Sequence, residues 1–246
     1  MAQRSNYYRL PDMSKVGKLS IVSTPIGNLG DITLRALETL RTVDMILCED
    51  TRHTGKLLSH FEIKKPLRSF HAHSTDKETA NIMALIEEGK SLALVTDAGT
   101  PGISDPGTIL ISQVLEAYGS EAVEVIPGPS ALTAAIARSG IPTHQFRFLG
   151  FAPAKKGRQT FFADIAANPD ATVFYESSHK IEKTIAELVK VLDPKRIIAL
   201  CRELTKMHEE TIRGTAEQVQ EILASDANKL RGEHVIIVAP SDFYIS

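Results

Sequence analysis

Short apolar runs alternate with helical segments along the first 140 residues of the chain. Within one such segment, Leu34, Leu37 and Leu40 recur at the spacing of a single helix face. The apolar runs are continuous, which is typical of strands covered on both faces of a sheet. The pattern predicts strands at residues 19–23, 43–48, 67–70, 92–96 and 122–126. Between them it predicts helices at residues 31–40, 54–60, 77–88, 108–118 and 130–139.

A second series of elements follows along the chain. The pattern predicts strands at residues 172–175, 197–201, 210–214 and 235–239, and helices near residues 158–167, 180–192 and 216–223. Thr215 stands where a helix N-cap is expected, with Gln218 as its capping-box partner. Because these strands lie closer together in sequence, we expect an antiparallel or mixed sheet.

The two series together predict an α/β fold with two domains, residues 18–140 and 141–246. The first domain is expected to hold a mostly parallel sheet and the second a mixed sheet. The boundary is placed near Gly140, after the last helix of the first series. A crevice between the domains is the expected ligand site. Residues 1–17 are polar and lack a signal-peptide core, so we expect a disordered leader.

Composition excludes several classes of protein. Hydrophobic residues make up 43% of the chain and charged residues 24%, as in ordinary globular proteins. The net charge of −2 means that a nucleic acid must be bound by a local basic patch. Cys48 and Cys201 lie in apolar stretches without CxxC spacing, which favours buried free thiols in a reducing cytoplasm. No apolar run approaches the length of a membrane span.

Glycine and proline concentrate where three predicted strands end. The loop after the first strand contains Gly27 and Gly30 but does not match GxGxxG, so a simple turn with Asp31 as helix cap is the alternative. Residues 97–107 contain three glycines, two prolines and two aspartates. Residues 126–131 lead into a helix that Ser130 can cap. Because ligands of open α/β sheets bind at these carboxyl ends, we expect a ligand site here.

Two polar segments carry ionisable side chains. Residues 48–53 read CEDTRH, and they either contact substrate or serve locally, with Asp50 or Thr51 capping a helix beside an ion pair. His71 and His73 could chelate a metal ion, but no further ligand stands at suitable spacing, so no metal is expected.

A basic run without acidic residues extends from Arg147 to Arg158. It includes Lys155 and Lys156, and aromatic side chains at positions 146, 148 and 151 accompany it. A solvated loop is one interpretation, and contact with phosphate groups, in particular those of RNA, is the other. The run alone does not decide between RNA and a small anion.

Six segments of the chain together resemble the tetrapyrrole-methylase superfamily, the class III S-adenosylmethionine methyltransferases. They read STPIGNLGDITLRAL (23–37), CEDTRHTGKLLSHF (48–61), LVTDAGTPGISDPG (94–107), PGPSALTAAI (127–136), FYESSHKI (174–181) and CRELTKMHEETIRG (201–214). Within the superfamily the chain is most similar to the branch that methylates a cytidine 2′-hydroxyl in 16S rRNA. The superfamily's glycine-rich first loop is replaced here by STPIGN, which argues against a porphyrin-type substrate.

The resemblance implies a cytoplasmic homodimer with S-adenosylmethionine in the cleft between two α/β domains. By position, the implied cofactor contacts of the first three loops are Ile26, Gly27, Asp97, Gly99, Thr100, Ile103, Asp105, Ser130 and Ala131. Those of the second domain are Glu176, Leu204 and His234.

Within this resemblance, CEDTRHT offers Glu49, Asp50 and His53 as candidate general bases, with Glu49 ranked first and Arg52 as a phosphate clamp. Glu176, Arg202 and Glu203 are competitors from the second domain. RNA contact is expected from Lys155, Lys156, Arg158 and Arg202. The expected partner is 16S rRNA in an assembled small ribosomal subunit. A small-molecule methyltransferase of the same superfamily and a non-enzymatic nucleotide- or RNA-binding module are the alternatives.

Overall fold

A computed structural model describes residues 16–71, 74–104 and 107–244 of the chain, in two compact units. The first unit contains the strands β1 (Leu19–Val22), β2 (Met45–Cys48), β3 (Leu67–Ser69), β4 (Leu92–Leu94) and β5 (Val123–Ile126). Its helices are α1 (Leu34–Thr42), α2 (Thr51–His60), α3 (Asp76–Glu87) and α4 (Gly107–Tyr118). All paired strands are parallel, in the order β3-β2-β4-β1-β5.

Helices cover both faces of this parallel sheet. Leu40 of α1 and Leu58 of α2 pack on one face, against Ile46. On the other face, side chains of α3 and α4 such as Ile82 and Leu110 pack in a separate apolar cluster with alternate residues of the same strands. The continuous apolar runs are therefore explained, because the apolar residues of β1, β2 and β4 face one or the other cluster.

The second unit is built on a mixed sheet. Its strands are β6 (Phe146–Phe151), β7 (Ala171–Glu176), β8 (Ile197–Arg202), β9 (Glu210–Thr215) and β10 (His234–Val238), in the order β6-β7-β10-β8-β9. β6 and β7 are parallel and the other pairs are antiparallel. Its helices are α5 (Ala131–Ser139), α6 (Arg158–Ala167), α7 (Ile181–Val191) and α8 (Ala216–Ser225). The predicted α/β class and the two sheet types are confirmed, whereas β6 was not predicted.

The division between the units corrects the sequence prediction. Residues 129–246, together with residues 26–30, belong to the second unit, so the boundary lies at Gly128 and not near Gly140. The reason is the packing of α5, since Ala135 is fully buried in a cluster with Cys201, Val235 and Ile26. Most of the predicted leader, residues 1–15, lies outside the described residues.

Two of the four predicted helix caps form as expected. Thr215 and Gln218 form the expected capping box of α8, and Asp50 caps α2. The cap of α1 is Thr33 rather than Asp31, because Asp31 lies in a separate short 3-10 turn. Ser130 stands at the N-cap of α5, but its side chain forms no capping hydrogen bond. Within the described residues, no helix is both long and apolar enough to cross a membrane.

Candidate functional site

The topology of the first sheet marks one position at its carboxyl edge. β1 and β4 are neighbours, and β1 continues into α1 on one face whereas β4 continues into α4 on the other. Adjacent loops that leave a parallel sheet toward opposite faces open a crevice between them, and ligands of open α/β proteins bind there. The loops that follow β1 and β4 are two of the three that sequence analysis selected.

Hydrogen bonds join the β1 and β4 loops directly. Thr24 and Gly99 exchange two backbone hydrogen bonds, with N···O distances of 2.9 and 3.1 Å. The hydroxyls of Ser23 and Thr100 lie 2.9 Å apart, and the Thr24 hydroxyl donates to the Thr96 carbonyl over 3.1 Å. Ser23 and Thr24 are buried, so these bonds fix the backbone at the crevice.

The neighbouring loops extend this connection along the sheet edge. After β2, the backbone N–H of Asp50 donates to the Asp97 carboxylate over 3.3 Å. After β5, Gly128 packs so close to the β1 loop that a Cβ atom would lie 3.0 Å from the Cβ of Ser23. Four adjacent strands, in the spatial order β2-β4-β1-β5, thus end in loops that contact one another.

Backbone geometry explains why glycine occupies the centre of the β4 loop. Gly99 has a φ of +86°, a left-handed conformation that costs other residues about 1–2 kcal/mol. Thr100 follows directly, and Ile103 is exposed. The predicted cofactor contact Asp105 lies outside the described residues.

Two residues of the CEDTRH segment, Asp50 and Arg52, form hydrogen bonds with each other at the start of α2. Asp50 accepts from the backbone N–H of Arg52 at the start of α2, and the Arg52 guanidinium donates to both Asp50 carboxylate oxygens over 3.2 and 2.8 Å. These hydrogen bonds from Arg52 hold the pKa of Asp50 well below its usual range. The predicted cap and ion pair are confirmed, and Asp50 is a weak base as a result. Glu49 is half-buried, and His53 is exposed on the first turn of α2.

In the second unit, ionisable side chains form a row across the sheet. Glu176 of β7, His234 of β10, Arg202 of β8 and Glu210 of β9 are direct register partners, so all four project from the same face. The adjoining residues of that face belong to the apolar cluster under α6, α7 and α8. This row is therefore a polar end to an otherwise apolar core.

Two arginines predicted to contact RNA are buried in this region. The Arg158 side chain is 5% exposed and donates to Glu187, Glu176, Thr184 and the Pro153 carbonyl. Arg202 is also buried, and its guanidinium donates to three backbone carbonyls and to Glu210. Direct phosphate contact by either arginine does not fit this placement, because their donors are already used inside the protein. Lys155 and Lys156, in contrast, are exposed.

The candidate bases of the second unit, Glu176 and Glu203, also accept hydrogen bonds within the protein. The Glu176 carboxylate accepts from Arg158 and Thr184 through one oxygen and from the Ser177 N–H through the other. Glu203 accepts from Lys206 over 3.0 Å, and although burial raises the pKa of Glu203, hydrogen bonds from the Glu233 N–H and Lys206 lower it overall. Both carboxylates are thus engaged in structural contacts.

In the described part of the second unit, two buried polar atoms lack a hydrogen-bond partner. Among the described residues, neither the Nδ1 of His234 nor the hydroxyl of Thr205 finds a hydrogen-bond partner. Burial lowers the pKa of His234, and its Nε2 lies 3.2 Å from the Lys229 carbonyl. Such orphaned atoms are available to a ligand with hydrogen-bonding groups. His234 was predicted as a cofactor contact, whereas Thr205 was not.

The other predicted contacts lie around the apolar side of the second sheet. Ile26 and Leu204 are buried in the same cluster, with Ala131 partly buried against it. Gly27 packs on the aliphatic chain of Lys206, where a Cβ atom would come within 2.5 Å of its Cγ. Thr205, next to Leu204, adopts a φ of +66°. This strained backbone marks Thr205 as a candidate site residue, but it cannot be predicted from the sequence.

A metal site finds no support in the described part of the chain, where no group of three His, Cys, Asp or Glu side chains could hold an ion. His73, one half of the pair considered in the sequence, lies outside the described residues.

Comparison with known proteins places the chain in a family. Residues 18–220 match the family of Tetrapyrrole (Corrin/Porphyrin) Methylases. Relatives named ribosomal RNA small subunit methyltransferase I include that of Xylella fastidiosa strain Temecula1, 48% identical over 92% of this chain and 82% of the relative. The relative from Thermotoga maritima is 42% identical over 91% of this chain and 99% of its own length.

Solved structures agree on the fold. The uroporphyrin-III-C-methyltransferase of Thermus thermophilus superposes with a TM-score of 0.62 at 21% identity, over 91% of this chain and 94% of that one. A cobalt precorrin-4 methyltransferase superposes with a TM-score of 0.63 at 19% identity, over 94% and 98% of the two chains. The chain belongs to the tetrapyrrole methylase family and, within it, to the group of ribosomal RNA small subunit methyltransferase I.

Proposed function

We propose that this methyltransferase transfers a methyl group from S-adenosylmethionine to the ribose 2′-hydroxyl of a cytidine in 16S rRNA. The observation that carries the cofactor half of the proposal is the joined pair of β1 and β4 loops at the crevice of a parallel sheet. The names of the relatives support the RNA half. The replaced glycine-rich loop, residues 23–28, argues against a porphyrin substrate.

The first unit offers the cofactor a backbone-lined site. Gly99 lets the main chain approach a ligand without a side chain between them, and Asp97 and Thr100 supply a carboxylate and a hydroxyl beside it. The remaining proposed contacts, by family position, are Ile26, Gly27, Ile103, Asp105, Ser130, Ala131, Leu204 and His234. Glu176 is left out as a direct contact because its carboxylate is buried and paired with Arg158.

Alignment is the main catalytic contribution of the chain. The bound cofactor supplies a methyl group that is already activated on a sulfonium, so the protein must hold the attacking oxygen in line with it. A general base adds a factor on the order of 10²–10⁴. We assign this role to Glu49 before His53, since Asp50 is held by Arg52.

RNA contact rests on Lys155 and Lys156, which are exposed in the turn between β6 and α6. Arg52 is also exposed and can bind phosphate beside its ion pair with Asp50. The partner is proposed to be 16S rRNA in the assembled small subunit, because a chain with a net charge of −2 has no overall field to attract naked RNA. Homodimer formation and action in the cytoplasm belong to the same proposal and follow from the family resemblance.

Methyl transfer from isotopically labelled cofactor tests the proposal. Small ribosomal subunits that lack the modification are incubated with the protein, and their RNA is digested to nucleosides. The label is expected in 2′-O-methylcytidine, with lower incorporation into free rRNA than into subunits. Label on a nucleobase, or incorporation only into a small molecule, would reject the proposed reaction.

The base assignment has its own test. Glu49→Gln is expected to reduce the methylation rate at unchanged cofactor affinity, with a smaller reduction for His53→Ala. Full methylation by both variants would show that neither side chain is the base.

A further inference from the structure

A β-bulge in the edge strand β6 changes where its last aromatic side chain points. Phe148 packs toward the cluster that contains Val173, whereas Leu149 packs toward the opposite face of the sheet. Regular alternation would place Phe151 with Leu149. The register shifts between Phe148 and Phe151, and Gly150 adopts a φ of +63°, so Phe151 lies opposite Tyr175.

The bulge therefore gathers three aromatic rings on one face of the sheet. The Tyr175 ring lies 5.1 Å from that of Phe148 and 5.2 Å from that of Phe151, both in edge-to-face geometry. Phe148 is half-buried, but Phe151 is 63% exposed at the sheet edge. Three rings gathered at an exposed strand edge form an aromatic surface, which suits a binding role.

Cationic side chains follow this cluster within a few residues. Lys155 and Lys156 are exposed in the turn after β6. The buried Arg158 holds that turn, because its side chain donates to the Pro153 carbonyl over 2.9 Å and its backbone N–H donates to the Lys155 carbonyl. Arg158 is thus a positioning residue for the two lysines rather than an RNA contact.

We propose that Phe151, supported by Tyr175 and Phe148, is a stacking platform for an unpaired base of the RNA substrate, and that Lys155 and Lys156 bind the adjoining phosphates. An aromatic face beside positive charge is the chemistry that recognises single-stranded RNA, whose bases are free to stack. An apolar protein partner would leave the lysine pair without a role, so charge complementarity favours RNA. The inference rests on the proposed RNA methylation and adds to it that the bound segment is single-stranded.

Two substitutions at one position separate stacking from apolar contact. Phe151→Leu keeps an apolar side chain without a ring, and Phe151→Trp keeps a ring. Binding of a short fluorescent single-stranded RNA without self-complementarity is measured by anisotropy, with the duplex of the same sequence as a second probe. Phe151→Leu is expected to weaken single-strand binding roughly tenfold, with little change for Phe151→Trp or for the duplex.

Tyr244→Leu is the matched control, since Tyr244 is also exposed but lies near the end of the second unit. Unchanged single-strand affinity in Phe151→Leu, or an equal loss for the duplex, overturns the inference. A lower mass of Phe151→Leu in light scattering also overturns it, because the aromatic face would then bind a second copy of the chain.

Methyl transfer to small subunits by the same wild-type preparation keeps the two proposals apart. If the wild type methylates RNA and Phe151→Leu binds single strands normally, only the stacking inference fails. If the wild type transfers no methyl group to any RNA, the proposed function fails.

Discussion

The two units of this methyltransferase use polar groups in opposite ways. At the carboxyl edge of the first sheet, small residues such as Ser23, Thr24 and Gly99 join the loops through backbone and hydroxyl hydrogen bonds. The second unit instead buries arginines, and Arg196 alone donates to five backbone carbonyls. Small hydrogen-bonded residues leave space for a ligand. Buried guanidinium groups instead fill the interior and hold several backbone segments together.

This difference teaches how to interpret basic residues. A buried charge is tolerated only when its donors are satisfied, and Arg158, Arg196 and Arg202 all meet that condition inside the protein. They are structural for that reason. The exposed Lys155 and Lys156 have no such role and remain available to a phosphate.

Replacing the charged Arg158 by an apolar residue is expected to have the largest effect on stability. Arg158→Met leaves the buried Glu176 carboxylate without its cation, so the free energy of unfolding should fall by about 3–5 kcal/mol. Urea denaturation measures it. Lys155→Met, three residues earlier and exposed, should change stability by less than about 0.5 kcal/mol. Equal stability of the two variants would contradict the division into structural and exposed cations.

A pair of glycine substitutions tests the first unit. Gly99→Ala and Gly119→Ala each place a methyl group at positive φ, so each should lose about 1–3 kcal/mol of stability. Only Gly99→Ala distorts the joined loops, and it should raise the Kd for S-adenosylmethionine at least about tenfold. Gly119 lies at the other end of the sheet, before β5. Calorimetric titration compares the two, and a similar Kd in both variants would argue against this site.

Reversing the charge of the lysine pair comes next. Lys155→Glu/Lys156→Glu should weaken RNA binding and make the slope of log affinity against log salt shallower by about 0.7 for each phosphate that the protein no longer neutralises. Cofactor affinity should not change. Lys64→Glu/Lys65→Glu makes the same charge change in the first unit and is the control. If both double variants lose RNA affinity equally, net charge rather than a local patch governs binding.

The titration of buried His234 is expected to have the smallest effect on stability. The direction of its pH dependence follows from its lowered pKa. Because burial lowers the pKa of His234, the unfolded chain binds its proton more readily, and stability falls as pH drops below the ordinary value of 6.5. His234→Gln removes this contribution, so its stability should decline less between about pH 7.5 and about pH 5.5. Urea midpoints at both pH values measure the difference. An equal decline in wild type and variant would show that His234 titrates normally.

Sequence reasoning found the elements whose signals are local. Strands of the first sheet are continuous apolar runs, and the β4 loop combines glycine and proline within a few residues, so both were predicted. β6 was missed because Arg147 and the bulge at Gly150 interrupt its strand pattern. The boundary was misplaced because the packing of α5 on the second sheet has no local signature.

The candidate site shows the same limit. Arg158 stands in a basic run and was therefore predicted to contact RNA, but its partners Glu176 and Glu187 are 18 and 29 residues away. The Thr205 hydroxyl, which has no hydrogen-bond partner among the described residues, likewise depends on tertiary burial. Loop chemistry can be predicted from neighbouring residues, whereas the burial of a charge cannot.

Hydrogen exchange with and without S-adenosylmethionine tests the central claim most directly. If the cofactor binds at the carboxyl edge of the first sheet, backbone amides in peptides covering residues 20–26 and 95–104 should gain protection. Residues 88–91 and 119–122, which connect to the amino ends of β4 and β5, should not. Protection confined to those amino-end connections, or absent from the β1 and β4 loops at saturating cofactor, would contradict the account.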